Sequence, residues 1–398
     1  MGIFTPFSEE ELIPQEERIE VVKKRGRISI GIPREEHPHE SRITLTPDAV
    51  SVLTANGIEI TIESGAGLGA HYTDTQYSEA GAKISYDPEE VLTQPIILKV
   101  EPPTLSQIES IQPYSYLISS VQINTQHKEY FEKLSGKKIT AIGFEYIKDR
   151  HNALSIVRLI GEIAGTSAVL IAAELLSSTH GGNGLLMGGV TGVRPTNVVI
   201  IGAGNVGENA ARSALGLGAT VKVFDNSLTR LRRFQELLGR RLYTSTIDPK
   251  ELSKALIRCD VAIGCLRGEV RSPIVVTESM VKKMKPGAVI IDVSINNGGV
   301  FETSEINTGT NKAFVKHEVL HYCIPNITSK FARTTSKALS NFFLSYFLDV
   351  TEQGGFEAMI TRDRGICQGI YMYKGRITNQ QIASWYDLPY QDINLLII

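Results

Sequence analysis

The stretch Asn197 to Asp225, NVVIIGAGNVGENAARSALGLGATVKVFD, limits this chain to a small set of folds. Its β-branched opening, Asn197 to Ile201, suits a strand buried in a parallel sheet. It runs directly into Gly202-Ala203-Gly204-Asn205-Val206-Gly207, and a helical stretch follows, stopped by Gly216 and Gly218. A second apolar run, Val221 to Phe224, ends in Asp225. This order separates a dinucleotide fingerprint from a chance trio of glycines. Gly202 allows the tight turn, Gly204 lets backbone approach a pyrophosphate, and Gly207 lets helix and strand pack closely. The helix N-terminus, at Asn205 and Val206, then presents its amides to the phosphates. Asp225, 23 residues after Gly202, is placed to accept from an adenosine ribose and to repel a 2′-phosphate, which favours NAD. Arg230, Arg232 and Arg233 keep NADP as a minority reading. A glycine-rich turn in a nucleotide-free domain is the competing explanation, and the complete strand–turn–helix–strand context argues against it.

A chain of 398 residues exceeds one core of typical size, so two domains are expected. Its 42% apolar and 21% charged residues are those of a globular protein, and a net charge of −2 offers no basic field for nucleic acid or a membrane surface. No apolar stretch reads as long enough to span a bilayer, and the N-terminus lacks a secretory apolar segment, so the cytoplasm is the expected compartment. The four cysteines, Cys259, Cys265, Cys323 and Cys367, lack metal-ligand spacing, and the eight histidines are scattered. No metal is expected.

Residues 1–26 read as a charged arm, partly helical from Pro14 to Lys24 or else a tail. Strands are expected at Ile28–Ile32, Ile58–Ile62, Ile96–Val100, Tyr116–Val121 and Ile139–Phe144. The first helix begins at Thr46-Pro47-Asp48, with Thr46 as N-cap, and ends at Asn56-Gly57. Ser64 to Gly69 resembles a second phosphate turn, yet its GxGxG spacing without a following helix reads as a plain loop. Long helices are expected over Leu154–Leu176 and Arg333–Val350, and strands over Asp260–Cys265 and Ala288–Asp292. This alternation predicts α/β architecture with parallel sheets in both halves.

Ligands of parallel sheets bind beyond the carboxyl ends of the strands. Two loops in the second half qualify, Val293 to Gly299 and His321 to Asn326. In the first half Lys99 closes the run Ile96-Ile97-Leu98, and Arg42 precedes the first helix. Taken singly, Lys99 is explained by a stem snorkelling over the sheet edge and Arg42 by a surface position.

Several long segments together resemble the alanine dehydrogenase and pyridine nucleotide transhydrogenase family, the alanine dehydrogenase branch most closely. They are GIPREEHPHESRITLTP, ESGAGLGA, IILKVEPP, LLMGGVTGV, VVIIGAGNVG, MVKKMKPGAVIIDVSINNGG, HYCIPNITSKFARTTSKALSN and YKGRITNQQIASWYDLPY. The resemblance runs from about Arg27 to Pro389. It implies two Rossmann-like, doubly wound domains with a cleft between them. The substrate domain would comprise residues 27–155 and 333–398, with an NAD domain, 156–332, inserted. It also implies a homo-oligomer, commonly a hexamer, acting on a small amino or 2-oxo acid.

By the same resemblance Arg42 holds the substrate carboxylate, Lys99 binds substrate, and Asn326 with Ile327 belongs to the loop covering the nicotinamide. Arginine and lysine suit a 2-oxo acid through charge-assisted hydrogen bonds. Two cations facing one cleft would also ease proton loss from Lys99 and suit it to act as base. Two positions depart from the family pattern. Its acid/base histidine falls on Gln122, and its aspartate on Asn296. Amides orient a substrate or water but do not titrate near neutral pH.

The residues leave three readings open. The first is an NAD-dependent dehydrogenase converting L-alanine, NAD and water to pyruvate, ammonium and NADH, with Lys99 as base and Gln122 and Asn296 positioning water. The second is an oxidoreductase of the same type with another amino or oxo acid. The third is a catalytically idle NAD-binding protein that senses or assembles. The transhydrogenase branch also lacks the histidine, but its Arg/Gln/Asp hydride-transfer loop has no clear counterpart here.

Overall fold

The computed structural model describes residues 28–37, 39–149, 151–268, 271–307 and 313–397. The expected arm, residues 1–26, lies outside the described residues. The first six strands are β1 (Ser29–Ile32), β2 (Glu59–Glu63), β3 (Lys83–Ser85), β4 (Ile96–Leu98), β5 (Tyr116–Ser119) and β6 (Thr140–Gly143). Seven more follow: β7 (Asn197–Ile201), β8 (Thr220–Phe224), β9 (Tyr243–Ser245), β10 (Val261–Gly264), β11 (Val289–Asp292), β12 (Phe314–Lys316) and β13 (Val319–Tyr322). The chain closes on β14 (Ile370–Tyr373) and β15 (Arg376–Ile377).

These strands form two sheets. One has the order β15-β14-β6-β5-β4-β1-β2-β3, and the other β12-β13-β11-β10-β7-β8-β9. In the first, β1 to β6 are parallel, while β14 and β15 add antiparallel neighbours from the far end of the chain. In the second, only β12 is antiparallel. The fold is therefore α/β with two doubly wound sheets, the second made from chain lying between parts of the first. Each sheet reverses its strand order once, at β1/β4 and at β7/β10. Such switch points open a crevice at the carboxyl ends of the strands. The chain leaves β7 at Gly202, β10 at Cys265, β1 at Pro33 and β4 at Lys99. Both sequence-selected regions therefore lie at the switch points.

Two long helices connect and brace the sheets. The helix Ala332–Glu352 buries Leu339, Phe343, Phe347 and Val350 in the core that contains Ile30 and Leu53. Its Ser340 hydroxyl accepts from the Thr46 backbone N–H at 2.9 Å and lies 3.1 Å from the Thr46 hydroxyl. The first helix, Pro47–Ala55, starts where the sequence predicts, but Thr46 makes no side-chain cap. The hydroxyl expected to cap it serves a tertiary contact instead.

The other long helix, Ser155–Leu175, corrects the membrane reading. It has 21 residues and is long and apolar enough to cross a bilayer. Its small residues explain the composition differently. A Cβ on Gly165 would lie 2.3 Å from the Val206 carbonyl oxygen of the neighbouring helix Asn205–Gly216. The apolar face of Ser155–Leu175 is packed on that helix and on the second sheet.

Candidate functional site

The glycine turn divides its labour. Gly202 has φ 120°, a left-handed value costly for residues with a Cβ. At Gly207 a Cβ would stand 1.9 Å from the Gly202 carbonyl oxygen. Gly204 differs, with extended backbone at φ −82° and ψ −170° and no described residue within 4 Å of an added Cβ. Two glycines are thus required by the turn itself, and the third keeps open the space a pyrophosphate needs. The Asn205 side chain donates to the Arg158 carbonyl oxygen of the long helix, so Asn205 and Val206 offer backbone amides rather than side chains to a ligand. Asp225 is buried, with Oδ2 accepting from Ala203 N and Oδ1 from Ser227 N, both at 2.8 Å. It staples the turn to the end of β8, and its remaining lone pairs are what a ribose could use. Arg230, largely exposed, stands 3.9 Å from Asp225 Oδ2.

At the other switch point the structure gathers Arg42 and Lys99 among carboxylates. Lys99 is buried, with Nζ 3.2 Å from Glu35 Oε2 and 3.5 Å from the Arg34 carbonyl oxygen. Arg42 is buried as well. Its Nε donates to Glu40 Oε1 at 2.7 Å, its Nη2 donates to Glu40 Oε2, and its Nη1 donates to Thr328 Oγ1 at 3.0 Å. Each of the two cations expected to face one cleft is paired with its own carboxylate, Arg42 with Glu40 and Lys99, for which a base role is expected, with Glu35. Arg42 keeps more freedom. A guanidinium has five N–H groups, and these bonds use three of them.

Two residues past Lys99, Glu101 is the hub. Its Oε1 accepts from Asn326 Nδ2. Burial pushes Glu101 above the usual carboxylate range, the Glu40 carboxyl pushes it further, and Gln122 and Arg42 oppose. Burial likewise raises Glu35 despite Lys99.

Asn326 also accepts from Asn296 Nδ2 at 3.2 Å, so Asn296 meets Glu101 through one residue. Asn124 completes the crossing, donating to Asn297 Oδ1 at 3.0 Å. Gln122 and Asn326 have φ of 49° and 55°. Asparagine tolerates this left-handed region well; glutamine there marks a constrained position of the kind found at functional sites. The Gln122 loop is held from below by Glu145, whose Oε1 accepts from Val121 N at 2.7 Å and Gln122 N at 3.4 Å. Glu145 Oε2 has no hydrogen-bond partner among the described residues, and burial raises this carboxyl too. The Asn296 loop is held by Asp292, which accepts from Ser294 N, Val300 N and the Ser304 hydroxyl. Asn326 lines a cleft of about 530 Å³ with Ser41, Ile324, Pro325 and Ser329.

One expected loop is shorter than predicted. His321 and Tyr322 belong to β13 rather than to a loop beside the cleft. His321 is fully buried, its Nε2 2.8 Å from the Thr303 hydroxyl and its ring stacked on Phe314. Ser64 to Gly69 is a packing turn, where a Cβ on Gly69 would fall 2.7 Å from the Ser41 carbonyl oxygen. It presses on the segment that carries Arg42.

Sequence reasoning missed Glu35, Glu40, Glu101 and Glu145. A signal existed for one, since Glu40 lies two residues before Arg42, with which it pairs.

Known proteins match this architecture along most of its length. Family models described as alanine dehydrogenase/PNT, N-terminal and C-terminal domains, match residues 31–164 and 168–380. An alanine dehydrogenase of Methanococcus maripaludis is 36% identical over 364 residues, covering 91% of this chain and 97% of that protein. A solved L-alanine dehydrogenase superposes with a TM-score of 0.84 at 31% identity, covering 90% of this chain and 99% of that one. A transhydrogenase from Sinorhizobium meliloti shares the fold, with a TM-score of 0.75 at 22% identity over 89% of this chain and 100% of its own. With both domain models matched and such identity across nine-tenths of its length, the chain belongs to the alanine dehydrogenase/PNT family.

Proposed function

We propose that this protein is an NAD-dependent oxidoreductase that moves a hydride between the α-carbon of a small 2-amino acid and the nicotinamide, with L-alanine as the first substrate to test. The observation carrying this reading is the meeting of residues from both sheets at Asn326, which donates to Glu101 and accepts from Asn296, near the Arg42 guanidinium held by Glu40 and Thr328. The glycine turn fits a dinucleotide pyrophosphate above Gly204, with amides at Asn205 and Val206 and the Asp225 carboxylate toward the ribose. NAD held there supplies the hydride acceptor. Arg42 is the substrate-carboxylate anchor, because its two uncommitted N–H groups can hold a carboxylate in forked geometry. Glu40 and Thr328 fix that guanidinium in place. Gln122 and Asn296 orient the amino group and water without exchanging protons. Lys99 supports the site from beneath through Glu35. A homo-oligomer, hexameric by family resemblance, belongs to the same proposal and is tested by sedimentation.

The test is reduction of NAD by purified protein with L-alanine, beside the reverse reaction with pyruvate and ammonium. Turnover that Arg42→Ala abolishes, while calorimetric NAD binding persists, supports the assignment. NAD binding without turnover of alanine or any other 2-amino acid contradicts it. The two amide substitutions favour a second reading, the same chemistry on another 2-amino acid, which a side-chain panel would reveal as a clearly faster substrate.

A further inference from the structure

We infer that the cleft of about 530 Å³ beside Asn326 is a second ligand site, separate from the substrate site and suited to a small organic oxyanion, a carboxylate or a phosphate ester. Arg42, Lys99, Glu101, Gln122 and Asn296 do not line it. Two stretches of chain form the partition between them. In the first, His39 and Ser41 line the cleft, while Glu40 and Arg42 are buried against each other. In the second, Ser329 lines the cleft, while Thr328 Oγ1 accepts from Arg42 Nη1 at 3.0 Å. Ser41 N donates to Ser329 Oγ at 2.8 Å, which joins the two stretches. The cleft therefore lies directly behind the residues that hold Arg42.

Its charge is one-sided. The lining carries four basic side chains, His39, His71, Lys330 and Arg333, and among the described residues no acidic one. Lys330 is matched from outside the cleft by Glu174. Arg333 has no carboxylate partner among the described residues, and its contacts are of another kind. Its Nη1 donates to the carbonyl oxygens of His71 at 2.7 Å and Ala70 at 3.4 Å, and its Cζ stands 4.4 Å from the centre of the Tyr72 ring. Carbonyl oxygens and an aromatic face orient a guanidinium without cancelling its charge. These bonds engage Nη1 and leave the Nε and Nη2 N–H groups, the pair that grips a carboxylate or phosphate in forked geometry. The imidazoles of His39 and His71 add donors in either protonation state. A cavity of this size holds a ligand of metabolite dimensions, and a cation without a counter-charge in a concave wall draws anions to it. An anion seated on Arg333 bears on the Ser41–Ser329 joint and through it on Arg42, which makes the site a regulatory one. The regulatory part rests on the hydride-transfer reading above; the binding does not.

Calorimetric titration of the whole protein with inorganic phosphate, and separately with malonate, tests the site. The wild type should bind at least one of them saturably, the tighter naming the head group. Arg333→Gln, with melting unchanged, should weaken that binding about tenfold or more, as loss of a charged hydrogen-bond donor does. No saturable binding of either anion overturns the inference. Equal affinity in Arg333→Gln overturns it too, since the anion would then sit at Arg42 or at the glycine turn. Should Arg333→Gln fail to fold, His71→Glu decides, because a carboxylate at that exposed position should repel the anion; unchanged affinity overturns the inference equally. For the regulatory role, the bound anion should shift the KM for L-alanine in the wild type and leave it constant in Arg333→Gln. A KM that neither anion moves, or an equal shift in both proteins, overturns that role. A wild type idle toward every 2-amino acid counts against the oxidoreductase reading, while the calorimetry still decides the site.

Discussion

The two switch points are built from different materials. At β7/β10 the working parts are backbone: a left-handed Gly202, an open Gly204, a Gly207 pressed on the turn, and the amides of a helix. At β1/β4 they are side chains, with Lys99 paired to Glu35 from a distant segment, Arg42 to Glu40 from its own, and Glu101 to Asn326. Backbone sites tolerate almost no change because geometry itself is the function. Side-chain sites can exchange residues as long as charge and hydrogen bonds still balance.

The largest effect should come from Arg42. Replacing it with alanine leaves Glu40 buried beside Glu101 without its cation, and breaking such a pair costs about 3–5 kcal/mol. Urea denaturation measures it, and a loss near that of an exposed pair would mean that the cluster is hydrated. Next is Gly207→Ala, whose Cβ meets a carbonyl oxygen at 1.9 Å. Overpacking of this kind should cost roughly 3 kcal/mol and remove NAD binding with the fold of the turn. Gly204→Ala sharpens the contrast, since its Cβ meets nothing within 4 Å. Its Tm should stay put while NAD affinity falls about tenfold, or ~1.4 kcal/mol; an equal loss of stability would erase the distinction between the two glycines.

Smaller still is a pH effect at Glu145. Burial raises its folded-state pKa above the unfolded value of about 4.3. The proton is therefore bound more tightly in the native state. Its stabilisation is full below the unfolded pKa and is lost as pH rises through the folded one. Glu145→Gln lacks this titration, so the stability of the wild type relative to the variant should decline from acid toward neutral pH. A constant difference would show that Glu145 titrates alike in the folded and unfolded chain. Arg230→Ala should be the mildest change. Its side chain is 61% exposed and 3.9 Å from Asp225, and such pairs contribute about 0–1 kcal/mol.

How much the sequence revealed follows the same division. β7, the glycine turn and β8 were legible because strand, turn and helix demands are local and name their residues. The α/β class with parallel sheets followed from the alternation of apolar runs, and the doubly wound domains from the family resemblance. Glu101 and Glu40 were harder to see, since their meeting depends on β1 and β4 becoming neighbours around a chain reversal. Glu145 left no local trace, as its partners Val121 and Gln122 lie more than twenty residues away. His321 misled because a buried polar residue in a four-residue strand has the composition of a loop. The helix Ser155–Leu175 misled in the opposite sense, its glycines and alanines serving close packing on the fingerprint helix.

The most direct test of the central claim, that the two switch points cooperate in one hydride transfer, uses L-alanine deuterated at the α-carbon. The account predicts that NAD incubated with protein and this substrate is reduced, with the deuterium found by NMR at the nicotinamide C4. Bound NAD that gains no deuterium, from alanine or from any other α-deuterated 2-amino acid, would contradict it.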